Sequence, residues 1–312
     1  MNDMTPGKHS RKGSSLIERA ATAYDLTNFY RAAEQTRRDA PPTEPAALDV
    51  VPASPPVIAR SPVASRPEAV AVIDRQHLAE QGLLVPGAPI GPLAEEFRLI
   101  KRQLLITAET VGATSIAKSG AILVCSAQPN DGKTYCAINL AISLAAGRDI
   151  EVLLIDADFA KGDILIRLGI NAGPGLLDAL ADTTVSVEDC VIPTDIAHLS
   201  VLPAGTKTIN DTELLASSRT AELIDVLLAA DPNRILIFDS PPVMAASPAS
   251  VLASHVGQVM LVVRADRTSD SDVREAVAML DGCEHIQLVL NAVSYAPGAR
   301  RFGNYYDQED AA

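Results

Sequence analysis

The stretch Ala121-Ile-Leu-Val-Cys-Ser-Ala127-Gln-Pro-Asn-Asp-Gly132-Lys133-Thr134 leaves few folds open. An unbroken apolar run reads as a buried strand, Pro-Asn-Asp-Gly reads as a turn, and Gly-Lys-Thr opens a helical pattern over 133–146. In a strand–loop–helix frame the loop amides turn inward and the helix adds the positive end of its dipole, which makes a cradle for phosphate oxygens. Gly132 allows close backbone approach, Lys133 can reach the β- and γ-phosphates, and the Thr134 hydroxyl can ligate Mg²⁺. Ala127 stands where the usual phosphate-loop pattern has its first glycine, so the frame rather than the bare motif carries the assignment. The expected nucleotide contacts are Pro129, Asn130, Asp131, Gly132, Lys133, Thr134 and Tyr135.

Two acidic strand ends extend that reading. Val152-Leu-Leu-Ile155-Asp156-Ala-Asp158 and Ile235-Leu-Ile-Phe238-Asp239-Ser-Pro-Pro242 each close an apolar run with a carboxylate. A lone strand-end Asp is most often a helix cap. Acids at the carboxyl ends of neighbouring parallel strands instead converge on the ligand crevice. There Thr134, Asp156 and Asp239 are the expected Mg²⁺ residues, directly or through water, and Lys133, Asp156 and Asp158 the catalytic candidates. Either Asp156 or Asp158 could serve as base, and the residue pattern does not choose between them. Asn291 closes the last apolar run and is a candidate for the nucleotide base, or simply a turn residue.

Apolar runs at 121–125, 152–155, 199–202, 235–238, 259–263 and 286–290 alternate with helical patterns such as 133–146, 217–230 and 269–281. The expected fold is therefore α/β, a P-loop NTPase with a mostly parallel central sheet flanked by helices. Hydrophobic residues are 47% and aromatics 4%, with no Trp, so Ala, Val, Leu and Ile must build the core. A net charge of −13 argues against nucleic acid as the main partner. Cys125, Cys136, Cys190 and Cys283 have neither C-x-x-C nor zinc spacing and read as reduced structural thiols of a cytoplasmic protein. No run has the length of a membrane span, and the polar start shows no secretory signal. Any membrane association is then peripheral, through a partner or a surface contact.

Composition divides the chain into 1–38, 39–89, 90–293 and 294–312. Ser15-Leu-Ile-Glu18 has capping-box form, and 15–38 carries a partial apolar stripe with seven basic residues against four acids from the start to Arg38. That amphipathic helix fits docking to a partner or to anionic lipid, and equally packing on its own domain. The 39–89 segment is rich in Pro and Ala and reads as a flexible linker, with a short helix within 71–83. The last stretch reads as a mobile tail carrying Tyr295, Tyr305 and Tyr306.

The loop and its two acidic strand ends resemble the partition and septum-positioning ATPases, and more closely the bacterial tyrosine kinases of the CpsD/CapB exopolysaccharide type. The partition class has a lysine early in the loop, where this chain has Gln128. The kinase pattern lacks that lysine and matches Asp156-x-Asp158 and Asp239-x-Pro241-Pro242. The likeness runs over about 90–306, and Ser15–Ala21, Glu95–Leu104, Leu252–Gly257 and Gly282–Asn291 are similar to the exosortase-associated tyrosine autokinases. It implies ATP and Mg²⁺, and control of exopolysaccharide synthesis by phosphorylation of tail tyrosines Tyr295, Tyr305 and Tyr306 on a neighbouring subunit. It also implies a ring-like homo-oligomer docked through Glu95, Arg98 and Lys101, where Lys101 replaces an arginine and cannot make its bidentate fork. The implied partners are a chain-length-determinant membrane co-polymerase and a phosphotyrosine phosphatase. Many such kinases carry an arginine two residues past Asp-x-Asp. Here Ala160 stands there and Lys161 follows, so either Lys161 supplies that charge or the contact is lost. A partition-like ATPase switch and a weakly catalytic nucleotide-binding scaffold are the rival readings.

Overall fold

The computed structural model describes residues 70–293. The expected helix over 15–38, most of the Pro-rich segment and the three tail tyrosines lie outside them.

The core strands are β1 (Ala121–Ser126), β2 (Glu151–Asp156), β4 (Leu199–Leu202), β5 (Arg234–Asp239), β6 (Gln258–Arg264) and β7 (Ile286–Asn291), with a two-residue β3 (Ile192–Pro193). They form one sheet in the order β3-β4-β2-β5-β1-β6-β7. Every pairing is parallel except β3 with β4. The mostly parallel α/β expectation holds.

Both faces of the sheet are covered, which is why its central strands read as continuous apolar runs rather than as alternation. Ala121, Leu123 and Cys125 of β1 join one core cluster, with Leu180, Leu227 and Leu252. Ile122 and Val124 point the other way into a second cluster, with Phe97, Leu140 and Leu144. The first face carries α6 (Leu176–Ala181), α7 (Asp211–Leu215), α8 (Ser218–Ala229), α9 (Pro248–Ala253) and α10 (Asp270–Met279). The second carries α1 (Arg75–Glu80), α2 (Pro92–Gly112), α4 (Lys133–Ala145) and α5 (Ile164–Leu168), while α3 (Ile116–Ser119) is one turn leading into β1.

Helix α4 is buried at every position but Tyr135. A helix apolar on all sides needs cover on all sides. It lies between the sheet and α2, and Ala137, Ala141 and Ala145 leave room for close approach.

The compositional boundary at 89 differs from the packing boundary. Residues 70–89, expected to end the linker, are part of the folded unit: Ile73, Leu78 and Leu83 are buried in the second core cluster. Two polar contacts stitch this segment to α4. The Tyr135 hydroxyl donates to the Gly82 carbonyl at 2.8 Å, and the Leu84 amide donates to Asn139 Oδ1 at 2.7 Å. The proline-rich stretch before residue 70 hid this docking, because the deciding residues Ile73, Leu78 and Leu83 stand five apart and match neither the helix nor the strand period.

Candidate functional site

The phosphate loop joins β1 to α4, and Gly132 caps the helix with φ +97°. That left-handed conformation strongly favours glycine. A Cβ there would also meet Asn291 Nδ2 at 2.1 Å. Asn130 is left-handed too, at φ 66°, as Asn tolerates. Three contacts brace the loop. The Gln128 amide donates to Asp131 Oδ2 at 3.1 Å, Asn291 Nδ2 donates to the Asp131 carbonyl at 2.9 Å, and Arg264 donates to the Asn130 carbonyl at 2.9 Å.

Strand order then assembles the acids. β5 lies between β1 and β2, so Asp156 and Asp239 are register partners at the carboxyl ends of adjacent strands. Asp239 is fully buried, and neither of its carboxylate oxygens has a hydrogen-bond partner among the described residues. Asp156 is 1% exposed and accepts from the amides of Asp158 and Ile164 at 3.3 and 3.4 Å. Lys133 Nζ lies 2.5 Å from Asp158 Oδ2, 3.9 Å from Asp239 Oδ1 and 3.4 Å from the Thr134 hydroxyl. Lys133, Thr134, Asp156, Asp158 and Asp239, predicted as one constellation, are thus brought together.

The electrostatics show a site holding unneutralised charge. Burial pushes the Asp156 carboxyl up to about 7, with the Asp239 charge adding to the rise. Burial raises Asp239 to about 6 against the opposing pull of Lys133. Burial works against the Lys133 charge, but Asp239 and Asp158 outweigh it and raise its pKa. Cys125 and Cys136 are buried thiols pushed up to about 12, inert as nucleophiles, and all four cysteines are free.

A cavity of about 530 Å³ opens above these groups. Pro129, Asn130, Gly132, Lys133, Thr134, Tyr135, Asp158 and Asn291 line it, with Pro241 and Pro242 on the β5 side. Asp158 faces the cavity, whereas Asp156 and Asp239 lie beneath it. Asp131 serves as a brace of the loop rather than as a lining group, and the Tyr135 hydroxyl is occupied by Gly82. Asn291 packs on the loop at Gly132, so its clearest contact is with the phosphate cradle.

The donor set fits ATP with Mg²⁺. The left-handed glycine cradle suits phosphate, and the orphaned Asp239 oxygens suit a cation. Among the described residues no group of three or more His, Cys, Asp or Glu side chains could by itself hold a metal. Mg²⁺ commonly binds through one or two carboxylates plus substrate phosphates and water, which is what this site offers.

Two cations of the site carry weak sequence signals. Arg264 closes the β6 run just as Asp156 and Asp239 close theirs, a pattern that could have identified it. Arg167 sits on the one-turn α5 and also lines the cavity, and no motif announces it.

Glu95, Arg98 and Lys101 lie on α2, and Arg98 and Lys101 line a groove separate from the cavity at the loop. Arg98 pairs with Glu95 at 2.5 Å, and Lys101 Nζ donates to the Ser143 carbonyl at 2.9 Å in the last turn of α4. Burial, then Arg98, lowers the Lys101 pKa.

Family models give no match to the chain. It is 31% identical over 229 residues to the putative tyrosine-protein kinase EpsB of Ralstonia nicotianae, covering 73% of this chain and 29% of that one. It is 32% identical over 163 residues to the tyrosine-protein kinase YwqD of Bacillus subtilis, covering 52% of this chain and 67% of that one. Among solved structures, the VpsO kinase domain matches with a TM-score of 0.52 at 33% identity, over 63% of this chain and 97% of that one. The chain spans less than a third of the length of EpsB, so the match there is to one part of a larger protein.

Proposed function

The chain belongs to the family of bacterial tyrosine-protein kinases, and from that premise we propose that it is an ATP-dependent protein-tyrosine autokinase. Its role is to regulate exopolysaccharide synthesis or export by phosphorylating tail tyrosines of a neighbouring copy. The observation that carries the reading is the meeting of Lys133, Asp158 and Asp239, whose oxygens accept no hydrogen bond among the described residues, beneath a phosphate cradle.

The chemistry follows from those positions. The loop amides and Lys133 hold the β- and γ-phosphoryl oxygens and spread their charge. Thr134, Asp239 and Asp156 would hold Mg²⁺, directly or through water, and the ion would supply neutralisation of phosphate charge. Asp158 is the candidate base, because it alone of the three acids lines the cavity. In the free protein its carboxylate is engaged by Lys133. Phosphates that draw Lys133 away release Asp158 to accept the tyrosine proton. The tyrosine oxygen then bonds to the γ-phosphorus as the bond to the bridging oxygen breaks, with ADP leaving.

Tyr295, Tyr305 and Tyr306 are the proposed acceptors, and Glu95, Arg98 and Lys101 the proposed ring contacts. A membrane co-polymerase of the chain-length-determinant type is the proposed activating partner, with a phosphotyrosine phosphatase as the reset. The enzyme then works in the cytoplasm beside the membrane. Among the described residues no helix is long and apolar enough to cross a membrane.

The test is mass-spectrometric mapping after incubation with ATP and Mg²⁺, with and without the partner's cytoplasmic segment. Phosphate is expected on tail tyrosines, falling by on the order of 100-fold or more in Lys133→Met. ATP hydrolysis with no phosphotyrosine would put the partition-like switch first.

A further inference from the structure

The loop after Asp158 has no cation at Ala160, and the next two candidates differ in what they touch. Lys161 lies on the cavity rim, but its side chain is 63% exposed and already pairs with Asp163 at 2.9 Å. Arg167 has no ion pair with any described residue, although its guanidinium is partly buried and lines the cavity. Among the described residues its buried Nε has no hydrogen-bond partner, and the one side-chain bond is a long one to Gln81 Oε1 at 3.5 Å. A buried guanidinium nitrogen left unmatched is costly unless something anionic completes it.

Position in the sheet says which anion. α5 follows β2, while Asn291 ends β7, and β5, β1 and β6 lie between those strands. Arg167 and Asn291 therefore occupy opposite ends of one cavity, and the phosphate loop after β1 lies in the middle. Arg167 lines the cavity together with Lys133, Thr134 and Asp158. It therefore stands at the metal end, where the terminal phosphoryl group must lie. The segment before the core holds it there: Gln81 Nε2 donates to the Arg167 carbonyl at 2.9 Å, and His77 Nε2 lies 3.3 Å from the Ile166 carbonyl.

We propose that Arg167 binds the terminal phosphoryl group of the nucleotide, and that Gln81 acts as its positioning residue. This deepens the kinase reading and rests on it. The fork geometry of a guanidinium suits a phosphoryl group carrying spread negative charge.

Calorimetric titration of the full chain with Mg²⁺ and either ADP or a non-hydrolysable ATP analogue separates the phosphates. Arg167→Gln is expected to weaken the analogue by roughly 10- to 100-fold, the range for one charge-assisted contact, and ADP by less than about threefold. Gln81→Ala weakens the analogue by a smaller factor, and Lys161→Gln leaves both ligands within about threefold. Circular dichroism and thermal melts of each variant establish that it is folded. Equal losses for ADP and analogue, no loss for either, or a loss in Lys161→Gln with Arg167→Gln unaffected each overturn the proposal alone. A wild-type chain that binds neither ligand overturns the nucleotide-binding reading along with it.

Discussion

Helix α4 has a cleft at each end, and the larger one is not where the charged chemistry lies. At its N-terminus the cavity of about 530 Å³ holds Lys133 and Asp158 over Asp156 and Asp239. At its C-terminus a groove of about 640 Å³ runs between residues 83–94 and the last turn, with Arg98 and Lys101 on its wall. The helix dipole favours anions at the first end and cations at the second, and both clefts obey it. They differ in completeness. Every charged group named in the second has a partner within the chain, Lys101 on the Ser143 carbonyl and Arg98 on Glu95. The first leaves Arg167 Nε and both Asp239 oxygens without a hydrogen bond among the described residues, Asp239 keeping only the 3.9 Å ion pair to Lys133. Unmatched buried charge, rather than volume, distinguishes a site that awaits a ligand.

The sharpest way to break this contrast is Gly132→Ala. A methyl group there demands a left-handed alanine and sits 2.1 Å from Asn291 Nδ2, so the cradle must shift. Nucleotide affinity is expected to fall on the order of 100-fold, with stability lowered by about 1–3 kcal/mol, read by titration calorimetry and urea unfolding. Unchanged affinity would mean that the loop geometry is not what binds.

Asp239→Asn comes next, and its sign is unusual. A carboxyl ordinarily near 3.8 titrates near 6 for Asp239 and near 7 for Asp156 once folded. The folded state thus holds protons that the unfolded chain has released. The contribution of these two carboxyls to ligand-free stability is fully present below about pH 4 and is lost as pH rises through 7. The substitution should flatten that decline and raise ligand-free stability at pH 8 by about 1–3 kcal/mol, while abolishing the stabilisation that Mg²⁺ and nucleotide bring. Thermal melts across pH check it, and a variant less stable than wild type at pH 8 would show that Asp239 is not an uncompensated charge.

At the other end of α4 the effects shrink. Lys101→Met removes one hydrogen bond to a helix-end carbonyl and should cost about 1 kcal/mol, with nucleotide affinity unaltered. Arg98→Ala removes a surface pair worth only a few tenths of a kcal/mol, about 0.3–0.5. If the ring contact proposed for this face forms, light scattering will report a smaller particle for Arg98→Ala while the melting curve scarcely moves. A change in nucleotide affinity from either substitution would dissolve the separation between the two clefts.

The site was legible where a residue's type and its place on a strand coincide. Lys133 and Thr134 follow a turn that only a phosphate-loop frame explains, and Asp156 and Asp239 each end an apolar run. Arg264 ends one too and could have been found by the same rule. Arg167 could not, because five residues of helix after an irregular loop carry no period that says which way a side chain faces. Residues 70–89 read as the end of the linker because they continue a proline-rich stretch whose prolines lie mostly before residue 70. Their docking depends on Ile73, Leu78 and Leu83 finding a surface that α4 and its neighbours create.

From the order of its residues alone, this chain is committed to a covered parallel sheet with a phosphate loop and acids at its strand ends. Those features are local: apolar run length, one glycine able to adopt positive φ, and charge at a run's end each act over a few residues. Only the assembled sheet decides that β5 lies between β1 and β2. That arrangement sets Asp239 beside Asp156 and within 3.9 Å of Lys133. It also brings Asn291 from the far strand against the loop and leaves the Asp239 oxygens without a hydrogen bond among the described residues. Strand order and burial arise from the packing of segments distant in the chain, so no single stretch of sequence records them.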